Sequence, residues 1–284
     1  MTLQKYSETA VMTKIWRIGC VSYLNAKPLI EGLDSPSDLR VRFDVPSRLL
    51  GALESGDCDI ALCPVIDYCR AVTPLVLVPS GGIGCLGSTL TVRIFSRVPI
   101  EDIQTVHADT DSHTSVALLQ ILMRQIYDRD PYIINFDPRT FASHEPTIES
   151  PEAILLIGDK VVTDAPGLDQ YPHQLDLGQA WHKQMGLPFV FAIWMSRRGV
   201  DLGTLPARLD AQRCRNMNRI AQIADRYAGE HGWSVTLARR YMGQILRFDT
   251  DEPALAAISR FFSLAAQMGI ISDSRPIVCY ESAL

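Results

Sequence analysis

Short apolar runs alternate with longer amphipathic stretches through most of this chain, and that alternation predicts an α/β architecture. Residues 15–22 read as a buried strand, residues 41–45 as a second and residues 58–62 as a third. A helix is expected from about Pro28, and Pro46-Ser47 opens another through Leu49, Leu50 and Leu53, with Ser47 as its cap and Gly56 as its stop. Residues 75–78 and 90–95 are strands separated by a glycine-rich segment, residues 80–88. Residues 105–108 lead through a polar turn into an amphipathic helix that starts near Thr114, where Leu118, Leu119, Leu122 and Ile126 recur on one face. Residues 132–136, 153–157 and 189–196 complete the strands, and Phe189, Phe191 and Trp194 read as core. Beyond them the spacing is helical, with Met217, Ile220, Ala224 and Tyr227 in one stripe and Leu255, Ile258, Phe262 and Ala265 in another.

The order of elements divides the chain into two lobes. Residues 1–14 form a loosely held polar extension, residues 15–95 with 191–284 a discontinuous first lobe, and residues 96–190 a second. The helical C-terminal tail returns onto the first lobe, and the two crossings, near residues 91–96 and 191–195, are the expected hinges. No internal repeat or low-complexity segment interrupts this pattern.

Composition narrows the function. A formal net charge of −5 leaves no basic surplus for neutralising phosphates, which argues against a nucleic-acid partner. The N-terminus lacks the apolar core of a secretory signal, and no apolar run is long enough to cross a bilayer, so a soluble cytoplasmic protein without a membrane partner is expected. Seven cysteines, an odd number at irregular spacing, do not suggest a disulfide framework. A homodimer is compatible with the helical tail, but no residue pattern specifies one.

Four segments carry candidate chemistry. The loop Ser22-Tyr-Leu-Asn25-Ala-Lys-Pro28 follows the first strand, and ligands of open α/β sheets bind at the carboxyl ends of strands. There Ser22 and Tyr23 offer hydroxyls and Asn25 offers donors and an acceptor, although Asn25 also fits the role of a helix cap. At the start of the amphipathic helix, Ser112, Thr114 and Ser115 stand where free backbone N–H groups favour a carboxylate; the same hydroxyls can serve only as caps. Pro64 and Val65 end the third strand, which is equally consistent with an ordinary strand-to-helix turn. Gly158 and Asp159 end the strand at 153–157, where glycine permits close approach of a ligand and Asp159 can cap a helix. Cys58, Cys63 and Cys69 lack zinc-site spacing, the six histidines form no metal pair, and Gly81-Gly-Ile-Gly84 lacks the Lys-Ser/Thr of a phosphate loop. No metal and no cofactor is implied.

Several segments together resemble one family, the chorismate dehydratases (MqnA) of the futalosine route to menaquinone. They are Arg17-Ile-Gly-Cys-Val-Ser-Tyr-Leu-Asn-Ala-Lys-Pro28, Gly56-Asp-Cys-Asp-Ile-Ala-Leu-Cys-Pro64, Ile94-Phe-Ser-Arg-Val-Pro99, Thr114-Ser-Val-Ala-Leu-Leu119, Leu155-Leu-Ile-Gly-Asp159, Asp176-Leu-Gly178 and Gly186-Leu-Pro-Phe-Val-Phe-Ala-Ile-Trp194. Their common order over residues 15–270 makes the resemblance specific. It implies a two-lobed periplasmic-binding-protein-like (type II) fold with the site in the interlobe cleft, and conversion of chorismate to 3-[(1-carboxyvinyl)oxy]benzoate and water. By the same resemblance Asn25 contributes to catalysis. Asn25 would act by positioning, since a neutral amide is a poor base; Thr114 and Ser115, helped by Ser112, would hold a carboxylate, and Pro64 and Val65 would shape the opposite wall.

One position departs from the family pattern: His113 stands where the helix-start motif usually carries Arg. Arginine holds a carboxylate through two parallel bonds at any pH, whereas histidine is charged only when protonated. Either the substrate is held differently here, or the usual arginine is structural. A sister family making 1,4-dihydroxy-6-naphthoate carries a catalytic histidine directly after the strand at 154–157, where this chain has Gly158. A non-catalytic paralogue binding a small anion on the same fold is the alternative outside enzymology.

Overall fold

A computed structural model describes residues 14–34, 37–137 and 150–281; the extension before Lys14 lies outside them. Four strands, β1 (Trp16–Val21), β2 (Leu39–Asp44), β3 (Ile60–Pro64) and β4 (Leu75–Cys85), begin one sheet. The next five, β5 (Val92–Ser96), β6 (Thr105–Asp109), β7 (Tyr132–Phe136), β8 (Ala153–Ile157) and β9 (His173–Asp176), make a second. β10 (Phe189–Arg197) and β11 (Leu246–Arg247) return to the first. The first sheet runs β11-β4-β10-β3-β1-β2, with β1 parallel to both neighbours and β10 antiparallel to both of its own. The second runs β7-β6-β8-β5-β9.

Helices cover these sheets because the strands are apolar on both faces. In chain order they are α1 (Lys27–Ile30), α2 (Pro46–Glu54), α3 (Asp67–Arg70), α4 (His113–Tyr127), α5 (Lys160–Thr163), α6 (Leu177–Met185), α7 (Leu205–Met217), α8 (Ile220–Tyr227), α9 (Val235–Arg240) and α10 (Glu252–Gln267). A continuous apolar core runs from Ile18 and Leu62 to Trp181, Trp194 and Phe261. Phe95, Ile154 and Leu156 point to the other face of the second sheet, where they form a smaller cluster with Val161 and Tyr171. Among the described residues no helix is long and apolar enough to cross a membrane.

Three expectations need correction. β5 pairs with β8 and β9, so the first crossing lies in residues 86–91 rather than near 95. An apolar run such as Val92–Ser96 suits either sheet, and only distant pairing decides which. Asp176 fixes that crossing: its carboxylate accepts from Thr89 N at 3.0 Å, Leu90 N at 2.8 Å and Ser88 Oγ at 2.7 Å while also capping α6 through Gln179 N.

The second correction concerns the glycine-rich segment, which is the end of β4 and not a linker. A Cβ at Gly82 would stand 2.7 Å from the Ala192 carbonyl oxygen, and one at Gly84 would stand 2.6 Å from that of Phe189. The glycines let β10 approach where its register shifts. Gly82→Ala is therefore expected to destabilise the fold by ~2 kcal/mol, since backbone cannot yield as a side chain can; an unchanged urea midpoint would contradict this. Third, the stripe through Met217 and Ile220 is split between α7 and α8, because Arg219 leaves helical geometry at φ −125°, ψ 20°.

Candidate functional site

A cleft lies between the lobes. The first lobe contributes Val21, Tyr23, Asn25, Pro46, Pro64 and Phe191, the first crossing contributes Thr89 and Thr91, and the second lobe contributes Ser112, Thr114, Ser115 and Gly158. Tyr241 and Leu246 of the tail close the wall. No Asp, Glu, Lys, Arg or His side chain lines it among the described residues. A ligand here meets hydroxyls, amides and apolar surface.

α4 aims its N-terminus at this cleft. Ser112 is its cap and accepts from Ser115 N at 3.2 Å, so the capping reading holds for that hydroxyl. Thr114 Oγ1 accepts from Ile66 N across the lobes at 3.4 Å. The first-turn amides still lack intrahelical acceptors, and the positive end of a four-turn helix favours an anion beside them.

Asn25 does not cap a helix. It sits in a short 3-10 turn, Leu24–Ala26, where no side-chain cap bond forms. Its Oδ1 is buried and has no hydrogen-bond partner among the described residues. Its amide adjoins the hydroxyl of Tyr241, which in turn lies 2.6 Å from Thr91 Oγ1. Burial pushes the Tyr241 hydroxyl well above its ordinary range, so it remains a neutral phenol. Tyr241 begins a π-helical turn, Tyr241–Ile245, of the kind often found at functional sites.

A set of polar contacts ties the lobes together around the cleft. Asp159 accepts from Leu24 N at 3.2 Å and Trp233 Nε1 at 2.9 Å, and its Oδ2 pairs with His231 Nδ1 at 2.7 Å. His113 Nδ1 lies 2.8 Å from Oδ1 of the fully buried Asp67. Tyr23 donates to Asp111 at 3.2 Å across the lobes, and within the second lobe Lys160 Nζ reaches Asp109 at 2.6 Å and Asp111 at 2.9 Å. Burial pushes the Asp109 carboxyl up, with Lys160 opposing that shift.

Of the expected site residues, Tyr23, Asn25, Pro64, Ser112, Thr114, Ser115 and Gly158 come together in the lining. Ser22 is exposed, Val65 is buried in the core and Asp159 is engaged with the tail, so these three do not line the cleft. Gly158 has φ +62°, and a Cβ there would lie 3.2 Å from the Tyr23 ring. His113 also stands outside the lining. Thr91 and Tyr241 were not anticipated as site residues: Thr91 was legible only as part of a crossing, and Tyr241 lies in a stretch of plain helical pattern. Lys160 was signalled only by the acids it neutralises. No group of three or more His, Cys, Asp or Glu side chains among the described residues is arranged to hold a metal ion.

Two α/β lobes, two crossings and a cleft between them define the periplasmic-binding-protein-like class. The aliphatic sulphonate binding protein SsuA of Escherichia coli superposes with a TM-score of 0.63 at 15% identity, covering 92% of this chain and 94% of that one. Protein AF1704 of Archaeoglobus fulgidus gives 0.67 at 15% identity, covering 92% and 100%. Within that class the chain belongs to the menaquinone biosynthesis family, whose model matches residues 16–267. A chorismate dehydratase from Thermus thermophilus is 27% identical over 262 residues, covering 86% of this chain and 93% of the relative.

Proposed function

We propose that this protein is a chorismate dehydratase, forming 3-[(1-carboxyvinyl)oxy]benzoate and water inside the cell. The observation that carries the reading is Asn25, the asparagine of the Tyr-Leu-Asn motif, in the lining of a cleft whose other lobe contributes the N-terminus of α4. The reaction removes the proton on ring C3 and the hydroxyl on C4, and aromatisation of the ring supplies the driving force. The protein must orient a dicarboxylate and exclude water, which a closed cleft of hydroxyls and apolar walls can do.

The α4 amides with Ser112, Thr114 and Ser115 receive one carboxylate. Asn25 is a poor base, and the buried Tyr241 stays protonated at neutral pH, its pKa raised chiefly by desolvation. No carboxylate or imidazole lines the cleft among the described residues, so the substrate's own enolpyruvyl carboxylate takes the C3 proton. Without a cation beside it in the lining, that carboxylate keeps its basicity.

Two features favour this reading over its rivals. Gly158 stands where the sister family carries its histidine, and here its positive φ would strain any side chain and a Cβ would press on the Tyr23 ring at 3.2 Å. His113 pairs with Asp67 outside the lining, so no carboxylate-binding role is assigned to it. The test is purified protein mixed with fresh chorismate and analysed by chromatography for 3-[(1-carboxyvinyl)oxy]benzoate. Product well above a no-enzyme control is expected. Its absence, from folded protein that still binds chorismate, would favour a non-catalytic binding paralogue.

A further inference from the structure

A phenol that lines the cleft from one lobe gives its proton to a carboxylate of the other. We infer that Asp111 is a positioning residue: it receives the Tyr23 hydroxyl across the lobes and fixes the Tyr23 ring as a wall of the binding cleft. The inference rests on the reading of that cleft as the site of a ring carboxylate.

The receiving side is built within the second lobe. Asp111 N donates to Asp109 Oδ1 at 3.1 Å, in the turn that leads from β6 to Ser112, the cap of α4. Lys160 Nζ lies 2.9 Å from Asp111 Oδ2 and 2.6 Å from Asp109 Oδ2. Both acids are buried and the lysine side chain is only 13% exposed, so one cation offsets two carboxylates at the entry to the helix. Without it, two adjoining negative charges would repel an anion arriving at that end of α4. The lysine also orients Asp111, whose Oδ2 it shares with Tyr23.

The donating side comes from the loop after β1. Tyr23 reaches Asp111 Oδ2 at 3.2 Å. Burial and the neighbouring acids push its hydroxyl far above the ordinary range, so it stays a phenol and a donor. The ring is held from a second direction as well. A Cβ at Gly158 would lie 3.2 Å from each of Cγ, Cδ1 and Cδ2, which places that residue over the face of the ring. Tyr23 therefore docks by its face on the residues after β8 and by its hydroxyl on those after β6. Its proton is committed to Asp111, so it offers a ligand a shaped wall and no acid. Separating the lobes breaks both contacts, which ties the strength of this bond to the affinity for whatever spans the cleft.

The bond is read with 3-hydroxybenzoate, an unreactive probe, titrated calorimetrically. Tyr23→Phe is expected to weaken its binding roughly tenfold, the scale of one hydrogen bond to a charged acceptor. In an Asp111→Ala background the same change should cost less than about twofold, whatever the lost charge does to affinity by itself. In an Asp111→Asn background, which keeps an acceptor without the charge, it should cost about threefold. A merely structural role for Asp111 would leave the cost of Tyr23→Phe the same in all three backgrounds. The asparagine background serves if Asp111→Ala does not fold, with urea unfolding run on every variant. No loss in Tyr23→Phe, an undiminished loss in the folded Asp111 variants, or no saturable binding to the unmodified protein would overturn the inference. Chorismate turnover with an undiminished loss would sink this inference alone; a loss that depends on Asp111 without turnover would sink the dehydratase reading alone.

Discussion

Asn25→Ala is expected to lower the turnover number for chorismate by roughly 10²- to 10³-fold, the usual cost of removing one well-placed polar group from a dry site. The side chain caps no helix, so the unfolding midpoint should move little. Its loss would remove an amide side chain from the lining of the cleft. Asn25→Asp is a sharper probe, because it keeps the shape but brings a negative charge into a lining that otherwise carries none. Steady-state rates at saturating chorismate decide the matter, and an alanine variant within threefold of the unmodified protein would remove Asn25 from the mechanism.

Asp159→Ala is expected to cost about 3 kcal/mol of stability, the largest effect we foresee for any single polar side chain outside the core. Its carboxylate joins three partners from distant parts of the chain, Leu24 N, His231 and the Trp233 indole. Truncation would strand two N–H donors in partly buried positions, whose desolvation is then uncompensated. Asp159→Asn should recover only part of the loss, since the amide turns one acceptor into a donor facing a donor. Urea unfolding gives the number, and a change below ~1 kcal/mol would show that the tail is held by its apolar contacts instead.

The residues that the sequence made legible are those whose signal is local. β8 is an unbroken apolar run, β1 and β6 mix apolar with polar positions, each ends at a polar turn, and Ser112 precedes a strong amphipathic helix, so strand ends and a helix start were visible and Tyr23, Asn25, Thr114 and Ser115 with them. Tyr241 was invisible because a π-helical turn has no sequence period of its own, and its partner Thr91 lies 150 residues away. The glycines of β4 suggested a loop because glycine composition alone cannot distinguish a flexible link from a strand pressed against another backbone. Asp159 was assigned to the ligand because a carboxylate at a strand end suits both a ligand and a neighbouring segment. Only the return of residues 231 and 233 distinguishes the two.

The contacts that cross between the lobes also govern kinetics. His113 on Asp67, Thr114 on Ile66 and Asp159 on Leu24 bridge the lobes beside the cleft. Separating the lobes breaks these contacts, so where ligand exchange needs that separation the apparent affinity is the intrinsic affinity scaled by the population of the competent state. Each cross-lobe bond therefore slows arrival and departure alike, and the strength of these few pairs sets how often the molecule can exchange one ligand for the next.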